Sequence, residues 1–233
     1  MRPRLLDGFC GAGGAGAGYA RAGFVVVGVD NRPQPRYPFE FIQADFFEYV
    51  AEHGHEYNVI HASPPCHRYT RAQNAAKNAD AHPDLVSRVR ELLRDTGAIY
   101  VIEKVVGAPL ENAITLCGLA FGLQVKRHRL FESNVFLLAP PCPPHTVDYY
   151  VIFGHEVRNR RHGKAAGRKN KVAKGREAMG IPWMSRDELS EAIPPAYTFC
   201  IGEQLMQHLK GEQLETTPNS HIPHTPWSPD PRA

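Results

Sequence analysis

Apolar positions fall into short runs separated by glycine, proline and polar turns, and each run predicts an element. Residues 4–9 read as a first strand, followed by the glycine-rich run 10–18 and a short helix over 19–23. Residues 25–30 form a second buried strand that ends on a carboxylate. A third covers 39–44 and runs up to Asp45, and residues 46–52 look helical. The fourth strand, residues 57–60, is stopped by Pro64 and Pro65, which cannot donate a ladder hydrogen bond. From His82 the apolar residues Leu85, Val89, Leu92 and Leu93 recur at a helical period, and Gly97 closes the helix. Residues 98–102 are a fifth buried strand and residues 113–121 look helical. Residues 125–131 alternate as a strand, with Arg127 and Arg129 on one face. Beyond Leu138 come a proline-rich loop (139–144), a short apolar strand (149–153) and a basic polar stretch. Order returns at Trp183, where Ser185 and Glu188 have the spacing of a capping box, and an amphipathic helix runs to about Leu209. Residues 212–233, rich in Pro, Ser, Thr and His, read as a disordered tail.

Strands alternating with helices predict an α/β chain with a mostly parallel, doubly wound sheet, whose strand C-termini share one edge. Candidate chemistry collects at those ends. The first strand, glycine turn, helix and second strand make a βαβ nucleotide-binding unit, with Gly11, Gly13 and Gly16 at the formal dinucleotide spacing. An adenosine cofactor without a pyrophosphate would use the same turn, and Asp30 is placed for a ribose diol. Asp45 fits two readings equally, contact with an adenine amino group or the N-cap of the next helix. Cys66, on the turn after the fourth strand, is either a poised thiol or a small buried residue. Glu103, with Lys104, ends the fifth strand on the same edge, as a catalytic carboxylate or one arm of a salt bridge. Arg127 and Arg129 could hold an anion or a base carbonyl, or sit exposed on an edge strand. The polar residues after Cys66, including Arg68, Thr70 and Arg71, read as a mobile loop able to touch phosphates.

Composition narrows this further. A chain of 233 residues with 42% hydrophobic side chains builds one domain, with at most a small appendage. No apolar run is long enough to predict a membrane span, and no signal-peptide pattern is present. Five scattered cysteines, none in a C-x-x-C pair, suggest neither a disulfide framework nor a zinc site, and point to a reducing, cytoplasmic setting. No metal is expected. Residues 157–176 carry nine basic side chains, among them Arg158, Arg160, Arg161, Arg168 and Lys169, and no acidic one. Taking these from the 27 basic residues leaves 18 against 24 acidic ones, a balance of −6 for the remainder. Such a concentrated basic segment suggests a polyanionic partner, although a solvated loop has the same composition.

These pieces, in this order, resemble the DNA cytosine carbon-5 methyltransferase family from about Arg4 to about Leu209. Residues 7–14 (Asp-Gly-Phe-Cys-Gly-Ala-Gly-Gly) look like its first motif, and Pro64-Pro65-Cys66 like the nucleophile motif. Glu103-Lys104-Val105 is similar to Glu-Asn-Val, and Arg127-His128-Arg129 to Arg-x-Arg. Glu191-Ala192-Ile193-Pro194-Pro195 with Ile201-Gly202 resembles the closing motif. The resemblance implies a Rossmann-like methyltransferase fold, S-adenosylmethionine as cofactor and duplex DNA with a flipped cytosine as substrate. Cys66 would attack carbon 6, Glu103 bind the ring nitrogen and amino edge, Arg129 hold the carbonyl oxygen, and Arg127 support the nucleophile loop. Phe9, Gly11, Gly13, Asp30, Asn31, Asp45, Phe46, Pro64 and Glu191 would line the cofactor site. His67, Arg68, Thr70, Arg71, Lys104 and the basic segment would face DNA. The implied organisation is a core over 1–135, a short target-recognition insertion over 136–182, and a segment over 183–211 that completes the core. A compact, monomeric enzyme of this kind resembles those of phages and restriction–modification systems.

Four positions depart from the pattern. Gly8 replaces a large apolar residue, which costs strand packing, His67 replaces Gln, and Glu191 lies where a Gly-Asn pair is usual. Lys104 replaces the Asn whose amide braces the nucleophile loop. Its charge is expected to favour ionised Glu103 and so weaken proton donation. The substitution is either tolerated or slightly damaging or, as an alternative, lets the ammonium read a carboxylated sulfonium donor; with His67 it would also fit a catalytically impaired DNA-binding relative.

Overall fold

The computed structural model describes residues 1–65, 85–153, 156–159 and 171–212, with side chains omitted over 153 and 156–159. Seven strands form one sheet: β1 (Arg4–Gly8), β2 (Val25–Asp30), β3 (Glu40–Gln43), β4 (Val59–Ala62), β5 (Ile99–Lys104), β6 (Ile114–Leu116) and β7 (Arg129–Ser133). The helices are α1 (Gly14–Arg21), α2 (Phe46–His53), α3 (Leu85–Asp95), α4 (Lys171–Met179), α5 (Arg186–Glu191) and α6 (Pro195–Lys210). A separate hairpin pairs β8 (Tyr150–Phe153) with β9 (Glu156–Asn159).

Strand order is β3-β2-β1-β4-β5-β7-β6. The first five strands are parallel, and β7 runs antiparallel to both β5 and β6. The order reverses between β1 and β4, so the turns leaving these two strands flank one crevice.

Period-2 alternation decides which core each residue joins. On β1, Leu5 packs with Tyr19, Tyr197 and Ile201 under α1 and α6, whereas Leu6 packs with Phe46, Val89 and Leu93 under α2 and α3. Both clusters are built of buried side chains, and each fully buried Leu or Ile contributes about 1.5–3 kcal/mol. A third cluster joins Val125, Ile152, Met179, Ile181 and Met184 beneath the hairpin.

Much of the glycine run serves packing. A Cβ on Gly18 would lie 2.0 Å from Thr198 Oγ1 and 2.2 Å from the Pro195 carbonyl, so α1 and α6 touch backbone to backbone. Gly8, the departure on β1, has the same logic. A Cβ there would fall 2.2 Å from the Phe46 ring, which occupies the volume a larger residue would fill.

Expected elements differ in several places. The helix expected over 19–23 is α1, Gly14–Arg21, so the glycine run is itself helical from Gly14. The basic polar stretch, expected to lack order up to Trp183, holds β9 and α4 (Lys171–Met179). Residues 113–121 are not a helix but the short strand β6 followed by a 3-10 turn over Gly118–Phe121, because the segment is bound edge-on to β7. The strand expected over 125–131 begins only at Arg129, and Val125 makes a single bridge to Tyr150. The capping box at Ser185 and Glu188 is present as expected. Residues 213–233 lie outside the described residues.

Candidate active site

The turn after β1 opens with Phe9 in left-handed backbone (φ 55°) and passes through Gly11 (φ 49°) and Gly13 (φ 81°). Gly13 packs under Tyr37 and Pro38, while the space over Gly11 is open. The Gly11 amide donates to Asp30 Oδ2 (3.1 Å), and the Arg32 amide donates to Asp30 Oδ1 (3.0 Å). The acid at the end of β2 is thus locked beside the turn. The Phe9 ring stacks on Phe46 at 4.5 Å, tilted, which leaves it partly exposed over the crevice. Asp45 caps α2, accepting from the amides of Phe47 (2.8 Å) and Glu48 (3.2 Å). The cap reading holds for its Oδ1. Asn31 is exposed, and its carbonyl accepts from Gln43 Nε2 (3.4 Å). A partly exposed aromatic, open space over a glycine and a fixed carboxylate suit an adenosine moiety.

Beneath the turn lies Asp7, 1% exposed. Its Oδ2 accepts from the Gly16 amide (3.0 Å) and the Tyr37 hydroxyl (3.1 Å). Burial pushes its carboxyl up to about 7, against the pull of those two bonds. On β4, buried His61 bridges the Tyr19 hydroxyl (3.0 Å) and Ser63 Oγ (2.8 Å), and burial pushes it down to about 3.

The second turn, after β4, carries Pro64 and Pro65. Lys104 Nζ donates to both carbonyls, at 2.6 and 2.8 Å, from a side chain that is 1% exposed. Lys104 was expected to face DNA or a donor, but burial at the end of β5 directs its ammonium onto the proline turn. Glu103, next on the strand, points to the other side and pairs with Arg129 (Nε to Oε1, 2.9 Å). The arginine N–H is not aimed along that line, so Glu103 Oε1 has an ion-pair partner but no hydrogen bond. Burial raises the Glu103 carboxyl and outweighs the opposing pull of Arg129, Lys104 and Arg127. The expected effect of Lys104 on Glu103 is therefore real in direction but loses to desolvation.

Arg127 and Arg129 do not share a strand face. Arg129 opens β7 and reaches Glu103, whereas Arg127 precedes the strand and donates to the carbonyls of Ile152 (3.0 Å) and Ser190 (2.6 Å). Those bonds tie it to β8 and α5; the loop after Pro65, which it was expected to support, lies outside the described residues. Glu191 is exposed at the end of α5. The closing segment meets the glycine turn through backbone instead: a Cβ on Gly14 would lie 2.5 Å from the Ile193 carbonyl.

Cys66, His67, Arg68, Thr70 and Arg71 lie outside the described residues, as do Arg160, Arg161, Arg168 and Lys169; of Arg158 only the backbone, in β9, is described. The site also has members that sequence reasoning passed over. Trp183 Nε1 donates to the Ala12 carbonyl (2.8 Å), Thr198 Oγ1 donates to the Ala15 carbonyl (2.8 Å), and the Tyr197 hydroxyl donates to the Arg127 carbonyl. Glycines at 14 and 18 signal a close backbone neighbour, but nothing local names which segment supplies it.

No protein-family model and no curated protein sequence matches the chain. Solved structures do. An Escherichia coli prophage protein described as a DNA modification methyltransferase superposes with TM-score 0.59 at 12% identity, covering 89% of this chain and 99% of that one. Schizosaccharomyces pombe Dnmt2 methyltransferase gives 0.60 at 12% identity, covering 90% and 99%. Entamoeba histolytica methyltransferase EhMeth gives 0.57 at 12%, covering 91% and 98%. The fold is a Rossmann-like methyltransferase fold. In it the turns after β1 and β4 are the two walls of the crevice, and Glu103 and Lys104 stand at the end of the adjoining strand. Among the described residues, no helix is long and apolar enough to cross a membrane.

Proposed function

We propose that the protein transfers a methyl group from S-adenosylmethionine to carbon 5 of cytosine in DNA, with Cys66 as a transient covalent nucleophile on a base turned out of the duplex. The observation that carries this reading is the pairing at the end of β5: Lys104 clasps the two carbonyls that lead into Cys66, while its neighbour Glu103 is held by Arg129. A buried, raised carboxyl beside a proline-stiffened thiol turn suits acid catalysis on a ring nitrogen.

When bound, the cofactor supplies an electrophilic methyl group. The Cys66 thiolate forms a bond to carbon 6, and the displaced electron pair makes carbon 5 nucleophilic. Protonated Glu103 donates to the ring nitrogen as that density builds, and Arg129 holds the carbonyl oxygen. After carbon 5 takes the methyl group, a base removes its proton, the sulfur–carbon bond breaks and the thiolate returns. Phe9 stacks on the adenine, Asp30 binds the ribose diol, and Asp45 offers its second oxygen to the adenine amino group. Lys104 stands in for the family's asparagine as a brace, and its bonds to Pro64 and Pro65 favour that role over reading a carboxylated donor.

Residues 136–182 serve as a small target-recognition region and 183–211 complete the core. The basic segment, with Arg158, Arg160, Arg161, Arg168 and Lys169, supplies phosphate contacts, so affinity falls steeply with salt. A monomer in the cytoplasm of a bacterium or phage-infected host, modifying DNA for protection, fits this design. The test is a duplex containing 5-fluorocytosine, which cannot release its carbon 5 substituent as a proton. With S-adenosylmethionine the wild type forms an adduct stable to detergent, and Cys66→Ser forms none. Adduct on tRNA but not on DNA would move the substrate to RNA, and adduct on neither would overturn the reading.

A further inference from the structure

Four side chains converge whose chemistry the reaction does not use. Cys117 follows β6, His128 precedes β7, and Cys142 and His145 lie on the proline-rich loop. Their ligand atoms all lie within 4.8 Å of one another. His145 Nε2 is 3.2 Å from Cys142 Sγ and 3.6 Å from Cys117 Sγ, and His128 Nε2 is 3.5 Å from Cys142 Sγ.

Those separations have a simple meaning. In a tetrahedral site with metal–sulfur bonds of about 2.3 Å and metal–nitrogen bonds of about 2.0–2.1 Å, each S···N edge is about 3.5 Å. The three measured edges, 3.2, 3.5 and 3.6 Å, match that figure. Backbone pairing creates the arrangement. The β6–β7 ladder pairs Leu116 with Arg129, so Cys117 and His128 face each other one step further along. The loop is brought back by Tyr150, whose amide donates to the Gln124 carbonyl (2.8 Å) and whose carbonyl accepts from the Lys126 amide (3.0 Å). Cys117 is buried and Cys142 is exposed, so the cluster has a dry floor and an entry path.

We propose that Cys117, His128, Cys142 and His145 bind one structural zinc ion. Two thiolates and two neutral imidazoles are a soft, closed, tetrahedral donor set, which favours Zn²⁺ over hard cations and leaves no open position for chemistry. The ion would pin the loop over 139–149, which has no regular structure of its own, to the strand start that carries Arg129. It therefore fixes the base of the hairpin leading into the basic segment. The spacing between ligands is ten residues, thirteen residues and then C-x-x-H, so no C-x-x-C signature announces the site.

The test is metal analysis of the full-length protein purified without chelator from zinc-supplemented cells, and it is independent of methyl transfer. The expected result is about one zinc per chain, together with tetrahedral cobalt–thiolate absorption after zinc removal and Co²⁺ addition. Cys142→Ser and His145→Ala, both on the loop, should each bind zinc at least about tenfold more weakly. His55→Ala, exposed and outside the cluster, should leave the zinc content unchanged. Wild-type protein carrying no zinc and giving no tetrahedral cobalt spectrum would overturn the proposal, as would a Cys117–Cys142 disulfide under reducing purification.

Discussion

Replacing Asp7 with Asn should flatten the pH dependence of stability. Asp7 is buried under the turn after β1, with a folded-state carboxyl raised to about 7 from an ordinary value of 3.8. The unfolded chain releases this proton near its ordinary value, while the folded chain keeps it until near neutrality. Between those limits the native state holds more protons, so stability is fullest below the ordinary value and falls as pH rises towards the folded one. From about pH 5 to about pH 8 the loss attributable to this group is about 2–3 kcal/mol. Buried His61 works in the opposite sense, because its folded value of about 3 costs stability as pH falls below the ordinary imidazole range. Total stability therefore mixes the two, and the difference between wild type and Asp7→Asn isolates the carboxyl. The asparagine oxygen can still accept from Gly16 and Tyr37. Urea unfolding at the two pH values should show the variant gaining about 2–3 kcal/mol on the wild type at the higher one. Parallel pH profiles for the two proteins would refute the assignment.

Three further outcomes follow from the packing and the clasp. Gly8→Leu should destabilise by about 1–3 kcal/mol through collision with the Phe46 ring, and Phe46→Ala in the same chain should recover much of that loss, read as coupling in a double-mutant cycle of chemical denaturation. Lys104→Met should slow adduct formation on 5-fluorocytosine DNA by at least about tenfold by leaving the Pro64 and Pro65 carbonyls unbraced, with Lys104→Asn restoring most of the rate. Arg90→Ala should cost about 3–5 kcal/mol in unfolding free energy, since Glu132, buried and bound by Arg90 at 2.7 and 2.8 Å, would lose its counter-charge.

Legibility in the sequence followed the range of the interaction involved. Buried strands with runs such as Val26-Val27-Gly28-Val29 announce themselves, because a strand covered on both faces needs apolar residues throughout. The glycine turn with Asp30 was equally plain, and the Gly11–Asp30 bond shows why the two belong together. Asp45 illustrates a middle case, where local chemistry permitted two readings and the fold displays the cap. The helix expected over 113–121 failed because apolar spacing in a short window carries both periods. Pairing with β7, a contact with a distant segment, selected the strand. Arg127 and Arg129 were placed on one face by alternation, yet the strand starts at Arg129, so the alternation rule never applied to Arg127.

The sequence by itself determined the alternation of the first five strands with helices, the crevice at the strand ends and most of the residue types gathered there, because each follows from local periodicity, turn chemistry and short spacing. Tertiary structure alone decided what the charged groups at that edge do. Lys104 reads in sequence as a free charge, and its burial at the end of β5 turns it into a clasp on Pro64 and Pro65. Glu103 reads as ionised beside a lysine, and desolvation raises it instead. Cys117, His128, Cys142 and His145 read as scattered residues and meet only because the β6–β7 ladder and the return at Tyr150 bring them together. Desolvation and long-range contact depend on the surrounding atoms in three dimensions, and no window along the chain contains them.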